Sequence, residues 1–275
     1  MYIDMHIHTE FSDGTYSPEE VAQIAKKNGV SIISVCDHDT IGAYESLRPA
    51  CAALGITLIQ GVEISTDWGG KNLHLLAYNF DPNNVELLKI INSNQAEYMW
   101  EGLEIIRNME KDYPEVSLDE FTTYKKPRGR GGWASINYIC DKGFGENLFD
   151  AFKYVQLYAP PLKFGSVVTA CSAIRAAGGV PVLAHPGDYW GVDEIEERLT
   201  NLLPAGIGGL ECYHPSPKHD EAMVAKCVEF CKTHDLCITS GGDSHGDFAQ
   251  GWRGIGILKM DTSKLNLNGI LNNWQ

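Results

Sequence analysis

Short apolar runs and longer amphipathic stretches take turns along most of this chain. Residues 1–6 (MYIDMH) read as a strand. Ser17-Pro18-Glu19-Glu20 then opens a helix, with serine as the cap, proline at the first helical position and glutamate at the third. Val21, Ile24 and Ala25 form its inward face, and Gly29 closes it. The near-continuous apolar run 32–36 in SIISVCDHD suits a parallel strand buried on both faces. A helix over 43–54 ends at Gly55, and ITLIQGVEI and NLHLLAYNF supply the third and fourth strands. The alternation resumes with helices over 167–177, 192–203 and 218–233 and strands over 180–184, 208–212 and 237–240. GIGILKM is expected to be a last strand. Strand–helix–strand order repeated this often predicts a parallel sheet, and seven or eight units favour a barrel over an open sheet.

Residues 82–165 break that rhythm. The stretch 83–111 reads as one long helix, with Val85, Leu88, Ile91, Met99, Leu103, Ile106 and Met109 near one stripe. Ser117-Leu118-Asp119-Glu120 is a second capping box, and helices are expected over 133–142 and 148–158. The pattern divides the chain into a barrel of residues 1–81 and 166–275 and a helical insertion subdomain, 82–165.

Composition narrows the class. The 275 residues are 44% hydrophobic and 21% charged, as in an ordinary globular protein. No run approaches about 18 apolar residues, and the N-terminus is a strand rather than a signal sequence, so a cytoplasmic protein with no membrane partner is expected. The eight cysteines are scattered, without a CxxC pair, and are expected to be free thiols. A formal net charge of −14 argues against binding to extended nucleic acid, which relies on Lys and Arg, but not against a small anionic substrate.

The chemistry gathers just after the strands. His6 and His8, two apart on an extended segment, share a face, and Asp13 follows in the loop. Later strands deliver Asp37 and His38, then Glu63, His74, His185, Glu211 with His214, and Asp243 with His245. Seven of the nine histidines fall in this set; His219 and His234 do not. In a parallel barrel all these ends lie on the face where active sites sit. Imidazole mixed with carboxylate suits Zn, Mn or Fe. One ion needs about four ligands, so nine candidates (His6, His8, Asp13, His38, Glu63, His74, His185, Asp243 and His245) point to two or three divalent transition-metal ions. Asp37 is expected to orient an imidazole or assist catalysis.

The segments DMHIHTEFSDGT, SVCDHDT, GVEIS, HLLAY, LAHPG, ECYHP and GGDSH resemble those of the PHP (polymerase and histidinol phosphatase) family, in order from residue 4 to residue 245. The resemblance implies a distorted (β/α)7, TIM-like barrel. It also implies an ion held by His6, His8, Glu63 and Asp243, a second held by Glu63, His74 and His185, and a third by Asp13, His38 and His245. The helical insert is similar to that of the stand-alone phosphoesterases of the family, in which an Arg-x-His-x-Ala segment faces the substrate. Here that stretch reads Arg130-Gly131-Gly132-Trp133-Ala134, so arginine is kept and glycine replaces histidine.

These features predict hydrolysis of a small phosphorylated substrate (a nucleotide, nucleoside bisphosphate or cyclic phosphate) by metal-activated hydroxide. Arg130, Arg128, Trp133, Arg253 and His214 are expected to bind it, and His214 to protonate the leaving oxygen. The rivals are a 5'-3' exonuclease acting on short RNA or DNA ends, an amidohydrolase cleaving C–N bonds, and a non-catalytic metal-binding barrel. The amidohydrolase reading is weakened by NLHLLAY, which lacks the lysine that usually bridges metals in that group.

Overall fold

A computed structural model describes residues 1–249 and 254–271, so Arg253 lies outside the described residues. In chain order the elements are β1 (Tyr2–Ile7), α1 (Pro18–Lys27), β2 (Val30–Val35), α2 (Tyr44–Leu54), β3 (Thr57–Ile59), β4 (Gly61–Trp68), β5 (Lys71–Tyr78), α3 (Val85–Met109), α4 (Leu118–Thr123), α5 (Ala134–Asp141), α6 (Leu148–Tyr158), α7 (Val167–Ala176), β6 (Val180–Leu183), α8 (Pro186–Tyr189), α9 (Ile195–Leu202), β7 (Gly209–Tyr213), α10 (Glu221–Thr233), β8 (Cys237–Ser240) and β9 (Met260–Asp261). The capping box at Ser17 is reciprocal: Glu20 N–H donates to Ser17 Oγ, and Ser17 N–H donates to the Glu20 carboxylate. β2 is buried almost throughout, as its apolar run requires.

The fold is α/β, but its strands form two sheets rather than one closed parallel barrel. One sheet has the order β3-β2-β1-β9 and the other β4-β5-β6-β7-β8. β1, β2 and β3 are parallel, as are β6, β7 and β8, whereas β4, β5 and β6 are antiparallel. The departure from the expected parallel order has a local cause. Trp68 and Lys71 are joined only by Gly69 and Gly70, both at positive φ. A two-residue turn of this kind makes a hairpin, while parallel neighbours need a crossover of about a dozen residues.

A second departure lies in ITLIQGVEI, which divides into β3 and β4 in different sheets. At the break, a Cβ on Gly61 would lie 2.1 Å from Ser34 Oγ and 2.8 Å from Cys36 Sγ, so only glycine lets the chain cross β2 this closely. GIGILKM is the third. Only Met260 and Asp261 pair, antiparallel to β1, and the preceding residues turn.

The two sheets meet at their site-bearing ends through single bridges. His8 N–H donates to Ser244 O beside the Ile7–Ser244 bridge, and Asp39 N–H donates to Glu63 O beside the His38–Glu63 bridge. Helices α7, α9 and α10 cover one face of the second sheet in a large apolar cluster that includes Leu75, Ile174, Leu199, Leu210 and Phe230. α1 and α2 cover the first sheet through Val21, Ala25, Leu47 and Cys51. α3 joins two cores. Leu87 and Ile91 pack under the second sheet, while Ile105, Ile106 and Met109 enter a separate cluster with Ile136, Tyr138, Ile139 and Ala151 of α5 and α6. The cysteines are free, and no helix among the described residues is long and apolar enough to cross a membrane.

On α3, burial and the neighbouring Glu97 raise the Glu101 carboxyl to about 7. A raised acid pKa in the folded state means that its contribution is fully present below the usual carboxylate range and is lost as pH rises toward 7. Glu101→Gln should therefore raise Tm relative to the parent at pH 8, by a few degrees at most, with little difference at pH 5. Thermal melts at the two pH values check it; equal displacement at both would show that Glu101 titrates normally.

Candidate metal centre

Glu63, in β4, is the hub. Its side chain is 1% exposed, and its two oxygens face separate sets of imidazoles. Oε2 lies 3.2 Å from His6 Nε2, 3.3 Å from His8 Nε2 and 3.2 Å from His38 Nδ1. Oε1 lies 3.0 Å from His74 Nδ1 and 3.1 Å from His185 Nε2. Asp243 Oδ1 is 3.1 Å from His8 Nε2 and 3.5 Å from His6 Nε2. At the outer end Asp13 Oδ2 is 3.3 Å from His245 Nε2, and Asp13 Oδ1 is 3.6 Å from His8 Nδ1. The structure thus brings all nine candidate ligands into one continuous cluster.

Three groups in it hold their donor atoms within 4.8 Å of one another: His6, His8, Glu63 and Asp243; His38, Glu63 and His74; and His8, Asp13, His38 and His245. His8 and His38 each belong to two groups, because their two ring nitrogens face different carboxylates.

These contacts have the character of a coordination cage. His6 Nε2 and His8 Nε2 approach to 3.1 Å, which a proton can bridge only once. The buried Nδ1 atoms of His8, His38 and His74 have no hydrogen-bond partner, although carboxylate oxygens stand nearby. Donors around one ion at about 2.1 Å lie about 3.0–3.4 Å from each other, the spacing found here. Borderline nitrogen and hard oxygen donors together fit a divalent transition metal. Electrostatics agree. Burial alone would neutralise Glu63, but His38, His6 and His74 hold its carboxyl well below the usual range. His6 and His245 do the same for Asp243 against its burial.

The elements explain how each side chain arrives. His6 and His8 come from β1 and the residue after it, and Asp13 from the loop beyond. Asp4, buried in β1, accepts hydrogen bonds from Gly242 N–H (2.8 Å) and Gly256 N–H (2.7 Å), fastening the segment after β8 across β1. His74 reaches the hub from the middle of β5, directly across from Ser65 of β4, rather than from a strand end. His185 and Asp243 adopt left-handed backbone conformations, φ 28° and 46°. Such strain is costly and is characteristic of functional positions. Gly241 has to be glycine, since a Cβ there would stand 2.2 Å from His6 Cβ and 2.7 Å from Glu211 Oε1.

Several groups behave differently from the sequence-based expectation. Asp37 orients no imidazole: it accepts from Thr9 N–H (2.7 Å), Thr9 Oγ1 (2.6 Å) and Ser12 Oγ (2.6 Å), clamping the loop that carries Asp13. Arg130 is turned to Asp141 of α5 at 2.5 Å. Arg128 is paired with Glu10 and its side chain is 83% exposed. Both arginines satisfy nearby carboxylates instead of the cage. Gly132, at φ +64°, donates its N–H to Asp13 O at 2.7 Å, and thereby ties the insert to the ligand loop. His214 is buried and accepts from Ser216 N–H at Nδ1, leaving Nε2 as the protonated nitrogen, 3.5 Å from Asp243 Oδ2. That geometry makes it a support for Asp243 rather than a free proton donor. Trp133 lies beside the cage, its ring centroid 6.0 Å from that of His38.

Three supporting residues fall outside the nine. Glu211 stands 3.1 Å from His6 Nδ1 and accepts the backbone N–H of His185 at 2.9 Å, so it holds one imidazole and the backbone of a second ligand at once. His219 Nε2 accepts Gly187 N–H at 2.9 Å and steadies the turn after His185. Lys126 Nζ donates to Ser12 O (2.7 Å) and Gly132 O (3.1 Å), joining insert and loop. The position of Glu211 at a strand end was a usable sequence signal; nothing local marked His219 or Lys126.

Fold and site together define an α/β protein organised around a cage of imidazole and carboxylate donors. Residues 4–130 match the family described as PHP domain. The chain is 29% identical over 269 residues to a 5'-3' exoribonuclease of Haemophilus influenzae, covering 92% of both chains. It is 28% identical to a phosphoribosyl 1,2-cyclic phosphate 1,2-diphosphodiesterase of Eggerthella lenta (91% of this chain, 96% of that one). It is 27% identical to a 3',5'-nucleoside bisphosphate phosphatase of Chromobacterium violaceum (92% and 90%). Among solved structures it is similar to a protein of Bifidobacterium adolescentis assigned as a metal-dependent phosphoesterase, with TM-score 0.79 and 26% identity over 92% of this chain and 90% of that one. It is also similar to an amidohydrolase of Chromobacterium violaceum solved with bound sulfate, with TM-score 0.75 and 25% identity over 90% and 88%.

Because Glu211 fixes the tautomer and aim of His6, Glu211→Gln should weaken divalent-metal binding about 10–100-fold while leaving the protein folded. Competition with a chelator, read by metal content, checks this; parental affinity in the variant would remove Glu211 from the site.

Proposed function

We propose that this protein is a metal-dependent phosphoesterase that hydrolyses a small phosphorylated substrate of the nucleotide class. The observation that carries the proposal is the pair of Glu63 oxygens, each facing its own set of imidazoles, with Asp13 and Asp243 at the flanks. His6, His8, Glu63 and Asp243 would hold one ion; Glu63, His74 and His185 a second; Asp13, His38 and His245 a third. Two or three ions of Mn, Fe or Zn fit these donors. Bound there, they would lower the pKa of a coordinated water and clamp the oxygens of a displacement at phosphorus.

The chain's own residues supply the rest. Glu211 and Asp4 hold His6 and the segment after β8 in place, and Asp37 holds the Asp13 loop. His214 keeps Asp243 aimed at the cage. The distorted barrel expected from the sequence belongs to the same reading, with the two sheets as its halves and the cage at their seam. The named activities of the relatives support a phosphorus ester over a C–N bond: an exoribonuclease, a cyclic phosphodiesterase and a bisphosphate phosphatase all cleave P–O bonds.

The test is metal-reconstituted protein against nucleoside 3',5'-bisphosphates, cyclic phosphates, phosphomonoesters, a 5'-labelled oligonucleotide and a panel of amides. Phosphate release from a bisphosphate or cyclic ester is expected; turnover confined to amides would overturn the proposal. Glu63→Gln should lose bound metal and about 100-fold or more of the activity together, since one carboxylate serves two sets of donors. Full metal content with full turnover in that variant would break the bridging role.

A further inference from the structure

Toward the insert, the cage opens onto an aromatic cleft of about 560 Å³ lined mainly by Phe11, His38, Tyr98, Phe121 and Trp133. Trp133 stacks there on Tyr98 with centroids 4.7 Å apart, and no Lys, Arg, Asp or Glu is among the lining residues. A different element stands beside the ligands His74 and His185. After His185 the chain enters the short helix α8, which ends in Tyr189, two residues past the LAHPG segment.

His74 lies where β5 loses its partner β6. Leu75 is still paired with Leu183, and His74 C=O accepts Ala184 N–H at 3.1 Å. A continued antiparallel ladder would have His74 N–H donate back to the same residue. The chain turns away at His185, φ 28°, and His74 N–H donates to Tyr189 Oη at 2.8 Å. The phenol thus stands in for the missing strand. Its ring also packs on the His185 imidazole, with centroids 5.3 Å apart. Helix α8 is itself pinned to β5: Lys71 Nζ donates to Tyr189 O and lies 5.6 Å from the Trp190 ring centroid. One side chain therefore touches the backbone of one imidazole ligand and the ring of another.

We infer that Tyr189 is a positioning residue for the ion between Glu63, His74 and His185, setting the spacing of the two imidazoles through its hydroxyl and its ring. The inference rests on the proposed assignment of those three residues as ligands and adds a further support to it. A left-handed histidine persists only where its surroundings over-determine it. For His185, Glu211 holds the backbone N–H and Tyr189 packs on the ring. Removing the hydroxyl takes the acceptor from His74 N–H and lets His74 and His185 shift independently. The donor groups His6, His8, Glu63, Asp243 and His8, Asp13, His38, His245 include neither histidine, so their contacts stay in place.

The test is zinc content, by elemental analysis, after equilibration in buffers of set free zinc. At a concentration that just fills the parent, Tyr189→Phe should hold one ion fewer per chain and regain it only at about 10–100-fold higher zinc. NMR of protein carrying isotope-labelled histidine identifies the ligands, and His74 and His185 alone are expected to lose their zinc-bound signals. Tyr138→Phe is the control, because Tyr138 Oη likewise accepts a backbone N–H, that of Ser117 at 3.0 Å, in the core of the insert. It should keep the parental zinc content whatever happens to its Tm. Should Tyr189→Phe fail to fold, Lys71→Met carries the test, since Lys71 is exposed and its loss releases α8 from β5; loss of the same ion is expected. Parental zinc content at every concentration, in folded Tyr189→Phe or otherwise in Lys71→Met, would overturn the inference. So would an equal loss in Tyr138→Phe, or a loss shared by all the imidazoles. Loss of the one ion, in a protein whose parent turns over no phosphoester, would uphold the positioning role and count against the proposed reaction alone.

Discussion

The structure depends on keeping one carboxylate charged where it has almost no water. Glu63 is buried at the seam of two sheets, and burying an ion without partners costs several kcal/mol or more. Five imidazoles from three strand regions and the loop after β2 offset that cost, and the carboxylate is held well below its usual range despite burial. The compensation works only if β1, β2, β5 and β6 deliver their side chains to the same point. Closing the two sheets against each other and assembling the site are thus one event, which explains why the single bridges joining the sheets involve Ile7 with Ser244 and His38 with Glu63.

Assembly of this kind tolerates local strain. His185, Asp243 and Asp39 all lie in left-handed conformations that non-glycine residues seldom adopt. Each is fixed from outside: Glu211 accepts the His185 N–H, Asp39 accepts from Asn94 Nδ2 at 2.7 Å, and His214 stands beside Asp243. The Asn94 contact also ties helix α3 to the strand region that bears the hub, because the same amide group donates to Ser65 O at 2.8 Å. Hydrogen bonds that look merely structural therefore fix the orientation of the aromatic cleft relative to the cage. Moving α3 would move Tyr98, and with it the ring on which Trp133 rests.

The ligand set was legible because imidazole is scarce and its positions recur after apolar runs; His6, His8, Asp13 and His245 needed no tertiary information. Helix boundaries were equally readable where a cap fixed them, as at Ser17 and Gly55. Sheet topology was not. Periodicity distinguishes strand from helix but carries no direction, and the decisive information sat in the two glycines at 69 and 70, which force β5 back along β4. Long-range partner choice was also hidden. Nothing local says that Arg130 prefers Asp141, or that Asp37 serves Thr9 and Ser12 instead of an imidazole, because each pairing joins residues that only the folded chain brings together. His214 shows the same limit: nothing in its local sequence says that the loop after β7 buries it against Asp243.

These pairings also decide where positive charge for an anionic substrate must come from. Arg128 and Arg130 are matched to Glu10 and Asp141, and Lys126 is occupied by the carbonyls of Ser12 and Gly132. The chain carries a net charge of −14, so its average field repels phosphate. Among the described residues, the attraction in the proposed reaction would then be local and centred on the cage, with the neighbouring cleft contributing flat apolar area and no charge. Such a division would separate the two parts of recognition, with bound cations holding the phosphorus centre and the helical segment meeting what is attached to it. It accounts for a helical insert that packs a second apolar core of its own yet reaches the site through Trp133 and Gly132, because altering that surface would change the preferred substrate without disturbing a donor atom of the cage.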